Sequence, residues 1–236
     1  MWGFGEYVSV AEKRKRAQKE LKKLLKKNPD INPVVIEGKK IAKNWWGLAW
    51  MKTLETYADY SNRIDRGRSY VKNGLVLHLE INEGVINAIV MGTNRPYKVS
   101  IIIEPLEHTL WVQLLERCNQ RIESMSALAQ GEFPKELEKQ LLGSVLFPDL
   151  DELYFDCSCP DYADVCKHVS AVLYAMAAQF DKEPTLFFEL RGVDFKDLLK
   201  KSIEEKMKDI LKNADKKSKR VIQNADIGQL FGIADV

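Results

Sequence analysis

The sequence predicts an α+β fold, in which an N-terminal helix and antiparallel β-meander region precede a mostly helical region. Three observations predict it. Leu75, Leu77, Leu79 and Ile81 alternate with other residues, the period of a half-buried strand. On both sides of that stretch apolar residues recur at helical spacing. Three of the four cysteines and one of the three histidines fall within Cys157–His168, which ties an extended segment to the helix behind it.

The elements follow in chain order. Ser9-Val10-Ala11-Glu12 reads as a capping box. Behind it Val10, Ala17, Leu21, Leu24 and Leu25 form an apolar stripe, and nine basic residues from Lys13 to Lys27 cover the remaining surface. Asn28-Pro29 ends that helix. Val34–Ile36 is a short strand candidate. Trp45 to Tyr57 is helical, with Trp46, Trp50, Leu54 and Tyr57 spaced for one buried face. Trp45, Trp46 and Trp50 are expected to pack against the sheet, and Gly47 to let another backbone approach.

Asn73-Gly74 reads as a tight hairpin that joins Arg68–Lys72 to the strand beginning near Leu75. Asn82-Glu83-Gly84 turns into Val85–Met91, and Gly92–Pro96 turns into Tyr97–Ile103, which completes a three- or four-stranded meander. His108 to Ala129 reads as one long helix, and Pro134 opens another that ends near Gly143. Leu153–Asp156 is extended and Val169–Phe180 helical. Asp194 N-caps a helix whose face is Phe195, Leu198, Leu199, Ile203, Ile210 and Leu211. The expected division is 1–105, a basic α+β region; 106–212, a helical region holding the Cys/His cluster; and 213–236, a basic linker with a short apolar tail.

Composition excludes several classes. With 236 residues, 45% apolar and 30% charged, the chain is expected to be soluble and globular, not disordered or fibrous. The longest uncharged stretch, around Val169–Ala178, falls short of the roughly 20 residues that cross a bilayer. Met-Trp-Gly-Phe-Gly-Glu offers no signal sequence, so no membrane partner and a cytoplasmic location are expected. No phosphate loop, nucleophile elbow or His-Glu-x-x-His helix is present, and Gly38-Lys39-Lys40 lacks the rest of a phosphate loop. Neither an enzyme nor a small-molecule substrate is expected. The net charge of +2 hides a partition: +9 over residues 1–100, −10 over 101–195 and +3 over 196–236. Such sectors bear on partners rather than on fold.

The sharp chemical signal is Cys157-Ser-Cys159, six residues, then Cys166-Lys-His168. Thiolates and an imidazole are the donors that zinc selects, and four of them close a tetrahedral structural site around one ion. Residues two apart on a strand project to the same side, so Cys157 and Cys159 can grip one ion together. Cys166 and His168 stand where the helix is only beginning. A disulfide needs an export context that the chain lacks, and a thiol-redox site would show Cys-x-x-Cys. A catalytic zinc keeps an open position, which four good donors leave no room for. Asp156, Asp161 and Asp164 flank the cluster, whose surroundings are therefore expected to repel phosphate.

This pattern resembles the SWIM zinc finger family, whose motif is Cys-x-Cys, a variable spacer and Cys-x-His; Cys157, Cys159, Cys166 and His168 match all four positions. The likeness extends to prokaryotic SWIM proteins encoded near Snf-type helicases. It runs through Tyr7-Val-Ser-Val-Ala-Glu, Ile41-Ala-Lys-Asn-Trp-Trp-Gly-Leu-Ala-Trp, Arg66-Gly-Arg-Ser-Tyr-Val-Lys-Asn-Gly and the tail Gln229-Leu-Phe-Gly-Ile. The resemblance implies a structural zinc finger, a DNA or protein partner, and association with a Snf-type ATPase.

Nucleic-acid contacts are expected from the +9 sector: Lys13, Arg14 and Arg16 on the first helix, and Arg63, Arg66, Arg68 and Lys72 on a turn leading into a strand. Tyr60 and Tyr70 stand beside the second group as candidate stacking platforms. His78 reads as a satisfied strand histidine and Cys118 as a small buried hydrophobe. Ile227, Leu230, Phe231 and Ile233 read as a short apolar helix that either docks on a partner protein or folds back onto the chain's own core. Two functions follow: a non-catalytic zinc protein that binds DNA beside a Snf-type ATPase, or a protein–protein interaction subunit of that ATPase without nucleic-acid contact.

Overall fold

The computed structural model describes residues 8–55, 61–117 and 146–214. Its antiparallel sheet is built from β1 (Val76–Asn82), β2 (Val85–Met91), β3 (Pro96–Ile103) and β4 (Leu153–Cys157), in that spatial order. Gly84, at φ 68°, makes the tight turn between β1 and β2 that a residue with a Cβ would strain. β4 lies against β3 with Ile101 opposite Phe155 and Val99 opposite Cys157. The α+β expectation and the meander hold, but the fourth strand is β4, not Arg68–Lys72.

Arg68–Lys72 instead closes a helix. Among the described residues the α-helices are α1 (Val10–Lys27), α2 (Trp45–Glu55), α3 (Ser61–Lys72), α4 (His108–Arg117), α5 (Lys167–Lys182), α6 (Thr185–Leu190) and α7 (Phe195–Ala214). Gly74 takes φ 65° and its N–H donates to Val71 O, while Leu75 N–H reaches back to Tyr70 O. That pair of bonds is a Schellman end, so Asn73-Gly74 terminates α3 and forms no hairpin. Arg63, Arg66, Arg68 and Lys72 therefore sit on a helix rather than on a turn entering a strand.

Other expectations shift less. Ser9 caps α1 by accepting from Glu12 N–H at 3.2 Å, and the Glu12 carboxylate turns to Arg16 Nε at 3.1 Å. Asp194 accepts from Lys196 N–H at 2.8 Å and so caps α7. Val34–Ile36 is not a strand, although Val34 N–H donates to Val76 O along the edge of β1. The helix expected from His108 is described to Arg117. The rest of it, Cys118 and the helix expected after Pro134 lie outside the described residues.

The centre of the core is α5. Twelve of its sixteen residues are buried, which makes it apolar on nearly every side. It packs on α2 and α3 on one flank and on the sheet on the other. Close approach to both helices is made through glycine. A Cβ on Gly47 would stand 2.5 Å from Ala177 O, and one on Gly67 would stand 2.6 Å from the Ser170 carbonyl carbon. The tryptophans are core, as expected, but they face helices: Trp46 meets Phe188 edge-on at 5.3 Å and Trp50 meets Phe180 at 5.4 Å. Arg191, 1% exposed, ties α6 to the sheet by donating to Glu104 O at 2.6 Å and pairing with Glu152 at 2.8 Å.

Candidate metal centre

Two elements bring the four ligands together. β4 ends at Cys157, and Ser158 prolongs the pairing with β3: its N–H donates to Lys98 O at 3.0 Å and its hydroxyl accepts from Lys98 N–H at 2.9 Å. Cys157 and Cys159 are thus fixed on either side of an anchored serine. Cys166 is the N-cap of α5, with extended backbone (φ −71°, ψ 169°), and its Sγ accepts from Val169 N–H at 3.5 Å. His168 lies in the first turn, 1% exposed.

His168 Nδ1 lies 3.9 Å from Cys157 Sγ and 3.8 Å from Cys166 Sγ, and all four ligand atoms fall within 4.8 Å of one another. Tetrahedral zinc, with arms of about 2.3 Å to sulfur and 2.0–2.1 Å to nitrogen, has S···N edges of about 3.6 Å and S···S edges of about 3.8 Å. The donor set and its spacing therefore fit one zinc ion, and with four protein ligands the site is closed.

The far side of the histidine is unusual. Its Nε2 is buried without a hydrogen-bond partner among the described residues. A ligating imidazole is commonly oriented by a carboxylate or carbonyl on its second nitrogen. Here aromatic packing fixes the ring instead: Tyr97 lies against it at 4.8 Å and Tyr70 edge-on at 5.7 Å.

The thiols of Cys157 and Cys166 shift each other in opposite directions. The Cys157 S–H donates to Cys166, which holds the Cys166 thiol down to about 4, aided by His168 and by backbone N–H groups against the opposing effect of burial. Cys157, as the donor, is pushed up by that same bond and by burial. Zinc binds the thiolates, so ligation releases the protons that the cysteines still hold.

The loop between the cysteine pairs is tied to α3 by Arg63, whose Nη2 lies 3.2 Å from Asp161 Oδ1. The hydrogen bond from Arg63 holds the Asp161 carboxyl below the usual range. The basic residues read as nucleic-acid contacts separate into two groups. Arg63, Arg68 and Arg16 have internal partners: Arg68 donates to Tyr174 Oη and Glu55, and Arg16 to Thr93 O and Asn94. Arg14, Arg66 and Lys72 are exposed, and Lys13 is half-buried over the Tyr70 ring. Tyr70, 6% exposed, packs the histidine and is no stacking platform. Tyr60 and the tail residues Ile227, Leu230, Phe231 and Ile233 lie outside the described residues. His78 accepts from Asn32 N–H at 3.0 Å, the satisfied histidine expected. Sequence reasoning missed Ser158, Tyr97 and the role of Tyr70, because pairing of β3 with β4 and packing of α3 on α5 bring them to the ligands.

Residues 156–177, which contain all four ligands, match the model of the SWIM zinc finger family. The chain carries a SWIM zinc finger. In this SWIM finger the Cys-x-Cys half belongs to a sheet edge and the Cys-x-His half to the central helix, so the metal joins the two layers of the fold. The chain is also 37% identical, over 163 residues, to Rv2102, an uncharacterized protein of Mycobacterium tuberculosis. The alignment covers 67% of this chain and 58% of that relative's length. No solved structure matches the chain. Among the described residues no helix is long and apolar enough to cross a membrane.

Proposed function

We propose that the protein is a non-catalytic nucleic-acid-binding accessory factor, in which the SWIM finger is structural and basic residues of α1 and α3 contact DNA beside a Snf-type ATPase. The observation that carries this reading is that Lys13, Arg14, Arg66 and Lys72 have no carboxylate within ion-pairing distance among the described residues, while their neighbours Arg16, Arg63 and Arg68 do. Free cations on helices near the finger supply the sequence-independent part of nucleic-acid affinity. A closed four-ligand metal site with no open position supports a non-catalytic role.

The test is a salt titration of DNA binding by the zinc-loaded chain. A protein that neutralises Z phosphates loses affinity with a log–log slope near −0.9Z, and absence of binding at ~50 mM salt overturns the reading. One observation favours a second reading, a protein–protein subunit of the ATPase. Ile203, Met207, Ile210 and Leu211 of α7 are each more than half exposed and fall at helical spacing. Co-purification of an ATPase that is lost on deleting Ile227–Val236, without DNA affinity, would favour it.

A further inference from the structure

We propose that Lys13, Arg66 and Lys167 form a phosphate-binding site beside the zinc histidine, one that takes the phosphodiester backbone of a nucleic acid. This inference rests on the nucleic-acid reading above and assigns its contacts to one place. The ring of Tyr70 organises the site. Lys13 Nζ, from α1, lies 5.8 Å from the centroid of that ring. Arg66 stands four residues before Tyr70 on α3, on the same face of the helix. The edge of the ring meets His168, whose chain neighbour is Lys167, the first residue of α5. Lys13 thus stands over the ring, Arg66 one helical turn before it, and Lys167 beside the histidine that the ring packs against. The Lys13 ammonium responds to the crowding: burial, then the charges of Arg66 and Lys167, hold its pKa below the usual lysine value.

The charge balance leaves a surplus. Three thiolates, a neutral imidazole and one divalent ion carry a net −1. Asp161, in the motif loop, is paired with Arg63. None of Lys13, Arg66 and Lys167 has a carboxylate within ion-pairing distance among the described residues, although the Lys167 charge also acts on Asp161. Across the histidine, Arg95 lies 5.3 Å from the Tyr97 centroid and extends the positive rim. The flanking aspartates are expected to repel phosphate; Lys13 and Arg66, which α1 and α3 carry towards the histidine, act against that on this face. An anion lowers the repulsion among the cations, and a nucleic-acid strand offers anions in series.

The test uses the full zinc-loaded chain and fluorescein-labelled DNA duplex, with anisotropy followed against salt. The variant K13Q/R66Q/K167Q should bind on the order of tenfold more weakly per lost contact at ~50 mM salt, with a log–log slope shallower by about 2.7. K13Q/R66Q leaves the motif untouched and keeps the test valid if the triple variant loses zinc; its slope should be shallower by about 1.8. K22Q/K26Q/K27Q removes as many charges from the exposed end of α1 and should leave the slope nearly unchanged. Equal losses in the triple variant and this control would mean diffuse charge and overturn the site. Wild-type binding that survives both Lys13/Arg66 variants overturns the site and leaves the nucleic-acid reading standing. A wild-type chain that binds no DNA or RNA overturns both, as does binding to vesicles of anionic phospholipid alone.

Discussion

The two ends of α5 are held by different physics. At its start Cys166 and His168 meet Cys157 and Cys159, and cohesion comes from four donor atoms around one ion. At its end Phe180 packs with Trp50 and Phe187, Trp50 Nε1 donates to Leu173 O at 2.8 Å, and the Asp181 carboxylate takes the N–H groups of Lys43 and Asn44 at 2.7 and 2.6 Å. Metal ligation is short-ranged and conditional on zinc and pH. Apolar burial is distributed and needs no cofactor. One helix therefore has an end that a chelator can release and an end that it cannot.

The largest expected effect is metal removal. Excess chelator should cost about 4 kcal/mol of apparent stability relative to free zinc a thousandfold above Kd. Hydrogen exchange should show protection lost at Val169 and Ser170, whose N–H groups bond to Cys166, and kept at Ala175–Phe180. Uniform loss along α5 would break the contrast. Trp50→Ala comes next, at about 3–4 kcal/mol for an emptied aromatic site. Thermal melting should register it while elemental analysis still finds one zinc per chain; loss of zinc as well would mean that the two ends are not separable. Cys157→Ser is the matching control, and a full zinc equivalent in that variant would refute the ligand assignment.

The pH response is smaller and has a definite sign. Cys157 is raised and must give up its proton on ligation, so zinc affinity should rise with pH through neutrality. The gain should be about tenfold per unit for each proton displaced, and competition with a chromophoric chelator at two pH values measures it. Affinity that does not change with pH would contradict a raised Cys157 thiol. Arg63→Gln should have the smallest effect, within about 1 kcal/mol, because its pair with Asp161 is partly exposed. If it instead released the zinc, the loop would be held by that pair rather than by the metal.

What the sequence disclosed follows the range of each interaction. The metal ligands were legible because Cys-x-Cys and Cys-x-His carry their geometry locally, and the meander because period-two alternation is local too. α3 was misread at Asn73-Gly74 for a specific reason: a type I′ hairpin and a left-handed helix end both require positive φ, and Asn-Gly serves either. The pairing of β4 with β3 was hidden by the long segment between them. For the same reason Arg63 and Arg68 looked available for phosphate. Their partners Asp161 and Tyr174 lie 98 and 106 residues away, beyond any local pattern.

The position of α5 in the chain also matters while the protein is being made. Trp50 must wait for Leu173, 123 residues later, before its indole N–H finds its acceptor. At ordinary synthesis rates of about 5–20 residues per second that interval is roughly 6–25 s. During it α2, and then the meander once residues 76–103 have been made, lack the helix that covers their apolar faces. The nascent chain is thus committed late, when one helix emerges and closes sheet, flanking helices and metal site together.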